Sequence, residues 1–168
     1  RLRNEKGQTT LLESMRTVIE KLPNVALIVI GDGPDRPYLE EIVRKLNIDG
    51  LVKWLGQKDH GEVLRLYSIM DVVVIPSLFE GFGLAAAEAM AAGKPVVASS
   101  VDGLSEVVQD GVTGFLVPAA NSGALGIAIF ELLDNSARAA SMGERGREIV
   151  QNEFPLKRFQ SNILAAYS

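Results

Sequence analysis

Glu80 and Glu88 stand in a stretch from Ser77 to Pro95 that reads SLFEGFGLAAAEAMAAGKP. A carboxylate accepts hydrogen bonds from vicinal hydroxyls, so a pair of them suits a polyhydroxyl ligand. On one continuous helix the two would lie about 80° apart, at 100° per residue. Gly81 and Gly83 instead predict that Glu80 precedes a helix and that Glu88 lies about one turn inside it, leaning back toward its N-terminus. Both side chains then reach one cleft from different depths. The same spacing also fits a Glu80 that merely complements the helix dipole and a Glu88 that is solvated, and spacing does not separate the two readings.

The neighbouring residues extend this site. Gly81-Phe82-Gly83 lets backbone approach a ligand, with Phe82 packing under the loop, and the helix that follows offers unpaired N–H groups to a phosphate or sugar. Taken alone, a strand-to-helix glycine turn is common. Arg1 and Lys6 are two cations able to hold a diphosphate, Lys6 as a point charge. The competing reading is flexible surface charge near a terminus, which is also how Arg3 and Glu5 read. Gly31-Asp32-Gly33-Pro34 lacks the third glycine of a dinucleotide fingerprint, since Arg36 stands there, and no ribose-binding acid follows at the right distance. It borders a nucleotide at most. His60 reads as a surface neighbour of a capping Asp59, and Lys94 as a favourable charge at the end of a helix.

What must position these residues is an alternation of helices and strands. Leu11, Leu12, Met15, Val18, Ile19 and Leu22 form one helical stripe, and Leu39, Ile42, Val43 and Leu46 a second. Asp59 with Glu62 predicts a capped helix on which Leu64, Tyr67 and Ile69 or Met70 face inward. Short apolar runs at Ala26–Ile30, Val52–Leu55, Val72–Ile75, Val96–Ala98 and Gly114–Val117 read as strands covered on both faces. A short helix is expected over Ser105–Gln109. Further helices are expected to be capped by Ser122 and by Ser141 with Glu144, and Pro155 to open a last one reaching Tyr167. The pattern predicts an α/β fold: one open, doubly wound, mostly parallel, Rossmann-like sheet flanked by helices, with ligands beyond the carboxyl ends of the strands.

Bulk properties agree. The 168 residues, 47% hydrophobic and 23% charged, make one domain with a full core. A net charge of −4 argues against generic nucleic-acid binding. Zero cysteines and one histidine leave no disulfide, thiol nucleophile or His-pair metal site. With no Asp-x-Asp cluster either, no metal or cofactor is expected. No signal peptide or bilayer-length apolar run is visible, so the expected location is cytoplasmic.

Glu80-Gly-Phe-Gly-Leu with Glu88-Ala-Met-Ala-Ala-Gly-Lys-Pro-Val-Val-Ala-Ser resembles the E-x7-E region of retaining glycosyltransferases of the GT-B fold, closest to the family 4 group. Arg1-Leu2 with Glu5-Lys6-Gly7, Ile30-Gly-Asp-Gly-Pro, Val52-Lys-Trp-Leu-Gly and Asp110-Gly-Val-Thr-Gly-Phe-Leu-Val-Pro match further blocks in the family's order, over nearly the whole chain. The resemblance implies a hexosyltransferase using a nucleotide diphosphate sugar. Glu80 would bind sugar hydroxyls, and backbone N–H groups of Phe82, Gly83 and Leu84 the sugar and distal phosphate. Glu88 would bind the ribose. Arg1 and Lys6 would stabilise the diphosphate leaving group without a metal. Gly33 would line the nucleotide side, and Leu55, within Trp54–Gln57, would border the base. Thr113-Gly114 would be structural. It further implies that residues 1–168 are one donor-binding domain, lacking its first strand and the N-terminal acceptor domain, and inactive alone. The parent enzyme could then be peripheral to the inner face of a membrane. Two rivals are a sugar-nucleotide epimerase, which lacks acid/base groups here, and a non-catalytic nucleotide-binding module.

Overall fold

The computed structural model describes residues 1–153. After a single 3-10 turn at Asn4–Lys6, the elements are α1 (Gln8–Lys21), β1 (Leu27–Ile30), α2 (Arg36–Leu46), β2 (Val52–Gly56), α3 (His60–Ile69), β3 (Val73–Ile75), α4 (Leu84–Ala91), β4 (Val96–Ser99), α5 (Asp102–Val107), β5 (Gly114–Val117), α6 (Ser122–Asp134) and α7 (Ser136–Glu153). The helix expected from Pro155 to Tyr167 lies outside the described residues.

Every strand pairing is parallel: β1 with β2, β3 with β4, and β4 with β5. This follows from the strands themselves, which are rich in β-branched residues, carry no charge except Lys53, and are separated by helix-length connections. This is the mostly parallel sheet flanked by helices that the sequence predicts. Among the described residues the strands form two pieces, β1-β2 and β3-β4-β5, with β1 and β3 left unbonded to each other. Both strands line a cleft that lies between them.

Helices cover both faces. On one, Leu11, Leu12, Met15 and Val18 of α1 meet Leu125, Ile129 and Leu132 of α6, with Leu39 and Val43 of α2 and with Val29, Val52, Val97 and Val117 of the strands. On the other, Ala86, Ala87, Ala89 and Met90 of α4 pack with Val73, Ile75, Val96, Ala98 and Leu104. Strand alternation divides the two cores: Val97 faces the first, and its neighbours Val96 and Ala98 the second. Each fully buried leucine or valine contributes about 1.5–3 kcal/mol. The helices α1 and α6 approach closely because Gly126 lies against the Ser14 carbonyl, where a Cβ would come to 2.7 Å.

Local expectations need several adjustments. The capping box of Asp59 and Glu62 forms as read, with bonds of 2.7 and 3.1 Å. Tyr67 faces inward and Met70, rather than Ile69, packs against the same core, while Leu64 and Ile69 are exposed. Asn121, not Ser122, caps α6, its Oδ1 accepting from the Ala124 N–H at 2.9 Å. Ser141 caps nothing, because α7 already begins at Ser136, where Asn135 Oδ1 accepts from the Arg138 N–H. In both cases an asparagine upstream satisfies the orphan donors first. The short helix after β4 is shifted to Asp102–Val107.

Candidate functional site

At the carboxyl edge of the sheet, Arg1–Gly7 bridges the ends of β1 and β3. The Leu2 N–H donates to the Asp32 carbonyl at 3.0 Å, and the Leu78 N–H donates to the Glu5 carbonyl at 2.8 Å. Leu2 is buried in the first core and anchors the segment. Gly33 adjoins it so closely that a Cβ would fall within 2.8 Å of the Leu2 amide nitrogen. Gly7, at φ 66°, turns the chain into α1 where any side chain would run into the Pro76 carbonyl. The glycines at 7 and 33 thus hold the first loop down on the sheet.

Opposite it, β3 leads through Ser77–Phe82 into α4. Gly83 is the N-cap, at φ 63°, and no side chain caps the helix. The first N–H groups of α4, from Leu84 onward, therefore have no intrahelical acceptor and face the positive end of the helix dipole. The expectation that Phe82 packs under this loop is corrected: its ring is 71% exposed. The space beneath is taken by backbone. The Gly103 N–H donates to the Glu80 carbonyl at 3.0 Å, and a Cβ on Gly103 would come to 2.5 Å from that oxygen.

The two glutamates belong to separate groups. Glu80 Oε2 lies 2.8 Å from Lys6 Nζ, with the two side chains 20% and 33% exposed. This pair joins the Arg1–Gly7 segment to the loop after β3, across 74 residues of sequence. Glu88 sits one turn into α4, between Tyr67 and His60, whose Nδ1 is 3.6 Å from Glu88 Oε1. Burial pushes the Glu88 carboxyl above its ordinary value, opposed by the His60 charge and a Tyr67 hydrogen bond. Burial, then the nearby Glu88 charge, also raises the Tyr67 phenol. Nothing in the sequence pairing signals the Tyr67–Glu88–His60 group, since α3 and α4 meet only in three dimensions.

The remaining expected positions are distributed around this edge. Arg1 is exposed, and makes no ion pair among the described residues. Leu55 is half-buried near the end of β2, whose last residue, Gly56, accepts from the Gly31 N–H at 2.8 Å. Arg36 stacks over Trp54 at 5.7 Å and bonds Glu40 at 2.9 Å, so the residue replacing the third glycine braces α2 on β2. Lys94 does not serve its own helix: its Nζ donates to the Ser68 carbonyl, 3.0 Å away, at the end of α3. Thr113 is fully buried and its Oγ1 accepts from the Gln109 N–H at 3.0 Å. Gly114 leaves no room for a Cβ against Val96. Among the described residues no three His, Cys, Asp or Glu side chains are grouped to hold a metal ion, and no helix is long and apolar enough to cross a membrane.

Parallel strands covered by helices on both faces, with a glycine-rich loop and a cation–carboxylate pair at their carboxyl edge, define a Rossmann-like α/β domain of the GT-B type. The chain belongs to the family described as glycosyl transferases group 1, whose profile matches residues 1–149. It is 36% identical over 151 residues to the D-inositol 3-phosphate glycosyltransferase of Corynebacterium urealyticum, which covers 86% of this chain and 36% of that protein. Among solved structures, sucrose-phosphate synthase from Thermosynechococcus elongatus superposes with a TM-score of 0.87 at 36% identity, over 98% of this chain and 42% of that one. Anabaena Alr3699/HepE in complex with UDP and glucose superposes with a TM-score of 0.88 at 28% identity, over 99% of this chain and 46% of that one. The chain thus spans roughly a third to a half of the length of such relatives.

Proposed function

We propose that residues 1–168 are the donor-binding domain of a retaining hexosyltransferase, which moves a hexosyl group from a nucleotide diphosphate sugar to an acceptor hydroxyl. One observation carries this reading: the 2.8 Å contact of Lys6 with Glu80 beside the uncapped start of α4. A cation and open helix N–H groups suit a diphosphate, and a carboxylate within reach of the same cation suits the sugar attached to it. The UDP and glucose held by the Anabaena relative support the ligand class.

In this proposal Arg1, Lys6 and the N–H groups of Phe82, Gly83 and Leu84 hold the diphosphate and sugar. Glu80 accepts from sugar hydroxyls, Glu88 accepts from the ribose, and Gly33 and Leu55 border the nucleotide. The bond from the anomeric carbon to the diphosphate oxygen breaks, and its electron pair leaves on that oxygen. The acceptor oxygen then bonds the anomeric carbon on the same face, and its proton passes to the departing phosphate. Lys6 and the α4 dipole stabilise the growing negative charge, which is where electrostatic preorganisation lowers a barrier. Glu80 orients the sugar and stabilises the oxocarbenium-like carbon rather than attacking it. The acceptor is held by a separate N-terminal domain, so the 168 residues alone bind nucleotide weakly and transfer nothing.

Calorimetric titration with UDP, GDP and ADP, and with the matching sugar nucleotides, tests this in the full-length protein. Glu88→Ala is expected to weaken every nucleotide, while Glu80→Ala weakens mainly the sugar-bearing donors. Equal small effects of both variants on all ligands would contradict the assigned roles.

A further inference from the structure

Helix α3 presents two polar side chains to Glu88 from one stripe. His60 and Tyr67 are seven residues apart, about 20° short of two full turns, so they lie on the same side of the helix. Tyr67 is buried beneath the Glu88 carboxyl, while His60 is 69% exposed, with its Nδ1 3.6 Å from Glu88 Oε1. The Tyr67 hydroxyl lies 3.4 Å from the Ala85 carbonyl and also bonds Glu88, whose charged oxygen is the stronger acceptor. Glu88 thus has a fixed donor on its inner side and an imidazole on its outer side.

The arrangement is held from outside the group. Tyr67 reaches Ala85 in the first turn of α4, and Lys94, just past the end of α4, bonds the Ser68 carbonyl at 3.0 Å. These two bonds fix α3 against α4. The capping box of Asp59 and Glu62 fixes the turn that carries His60.

The other charges near His60 are largely engaged. On α3 and just before it, Asp59 Oδ1 accepts from the Glu62 N–H, Lys58 pairs with Glu62 at 3.5 Å, and the Arg65 guanidinium lies back over Gly61. On α4 the facing group is Glu88. That helix also packs on β3 and β4, which carry no charge, and on α5, whose Asp102 and Glu106 are exposed. On α7, Glu144, Arg145 and Glu148 are exposed, and Arg147 lies at Gly93, beyond the end of α4.

We propose that His60 is a positioning residue of the donor site: through its contact with Glu88 it keeps that carboxyl ionised as the solution turns acidic, so that ribose binding persists to lower pH than Glu88 alone would allow. This rests on the reading of Glu88 as the ribose acceptor. A ribose hydroxyl donates to a carboxylate, so binding through Glu88 is present above the pH at which this carboxyl titrates and is lost as pH falls through it. Burial raises that point, and the His60 charge opposes the rise. An imidazole takes up its proton between pH 8 and 5. The fall in pH that threatens the Glu88 charge therefore brings a positive charge to within 3.6 Å of it. Tyr67 does not share in this, since burial, followed by the Glu88 charge, raises its phenol.

Calorimetric titration of the full-length protein with UDP, GDP and ADP between pH 5 and 8 tests the proposal, with His60→Gln to remove the charge and His60→Lys to make it permanent. At pH 7.5 His60→Gln is expected to bind within about twofold of the parent. At pH 5 it is expected to bind about fivefold more weakly, as suits one charge near a half-exposed partner. His60→Lys should follow the parent through the acid range, which a merely structural role for the ring would not produce. The difference at pH 5 should vanish for the 2′,3′-dideoxy nucleotides, which offer Glu88 no hydroxyl. Equal acid limbs in the parent and His60→Gln overturn the proposal. So does tighter binding by His60→Gln at pH 5, which would make His60 a competitor of the ribose. The carboxyl carbon of Glu88, followed by NMR in the same protein without nucleotide and assigned with Glu88→Gln, should titrate at higher pH in His60→Gln than in the parent. An unshifted carbon overturns the proposal whether or not nucleotide binds. A shifted carbon in a protein that binds none of the three nucleotides upholds the coupling of His60 to Glu88 and refutes the donor-site reading.

Discussion

Replacing Gly103 with alanine sets two physical effects against each other. Gly103 lies in α5, where exchanging glycine for alanine favours the helix by up to about 1 kcal/mol through backbone entropy. Its missing side chain, however, is where the loop before α4 sits. A Cβ would meet the Glu80 carbonyl oxygen at 2.5 Å and the Gly81 carbonyl carbon and oxygen at 2.6 Å. These are backbone atoms, which cannot swing aside as the end of a long side chain can. The 3.0 Å bond from the Gly103 N–H to the Glu80 carbonyl holds the two segments together and must lengthen to relieve the clash. Overpacking of this kind costs about 1–3 kcal/mol. Contacts of 2.5–2.6 Å with backbone place the cost in the upper part of that range, at about 2–3 kcal/mol, so after the helix gain a loss of about 1–2 kcal/mol is left, or a fall of roughly 2–8 °C in melting temperature for a chain of this size. Thermal or urea unfolding measures this, with Gly50→Ala as control. Nothing lies within 4 Å of a Cβ at Gly50, so that change is expected to stay within about 0.5 kcal/mol of the parent. Because Gly103→Ala also shifts Glu80, the proposed donor site predicts a fall of about fivefold in nucleotide-sugar affinity, the equivalent of 1 kcal/mol of contacts. A Gly103→Ala variant as stable as the parent, or more stable, would refute the claim that backbone contact shapes this loop.

Two further expectations concern a half-buried carboxyl group and a buried hydroxyl. The fold raises the Glu88 carboxyl above its ordinary value of 4.5, so the folded state holds its proton more tightly than the unfolded chain does. The stability contributed by that proton is therefore present at low pH and lost as pH rises through the raised value. Glu88→Gln should match the parent at pH 4 and become the more stable of the two by pH 7.5, as read from melting temperatures. A parent that gains on the variant with rising pH would reverse the sign and refute the burial argument. In contrast, Thr113→Val removes the buried Oγ1 that accepts from the part-buried Gln109 N–H and is expected to cost about 0.5–1.5 kcal/mol, measured by urea unfolding. No loss would mean that the amide finds another partner.

Much of the fold was legible in the chain. The stripe from Leu11 to Val18 is buried as its spacing requires, and so are Leu39 and Val43 on α2. Residues that act within one turn were also legible: Asp59 and Glu62 form their capping box because both ends lie on the same helix start. Caps were misplaced where two candidates compete, as at Asn121 against Ser122, since serine and asparagine have similar capping strength. Phe82 was misread for a different reason. An aromatic ring between glycines usually seeks a pocket, but here the pocket is already filled by the backbone of Gly103. Likewise, the partner of Lys94 is a carbonyl on another helix, 26 residues away in sequence.

The sequence by itself determined the helices, the parallel strands and the place of Glu80 before α4 and Glu88 within it. Those features depend on periodicity, glycine turns and apolar runs, which act over a few residues. Only the tertiary structure decided that Lys6 meets Glu80 while Glu88 meets His60. Such contacts depend on which loop ends the fold brings side by side, and local spacing holds no record of that.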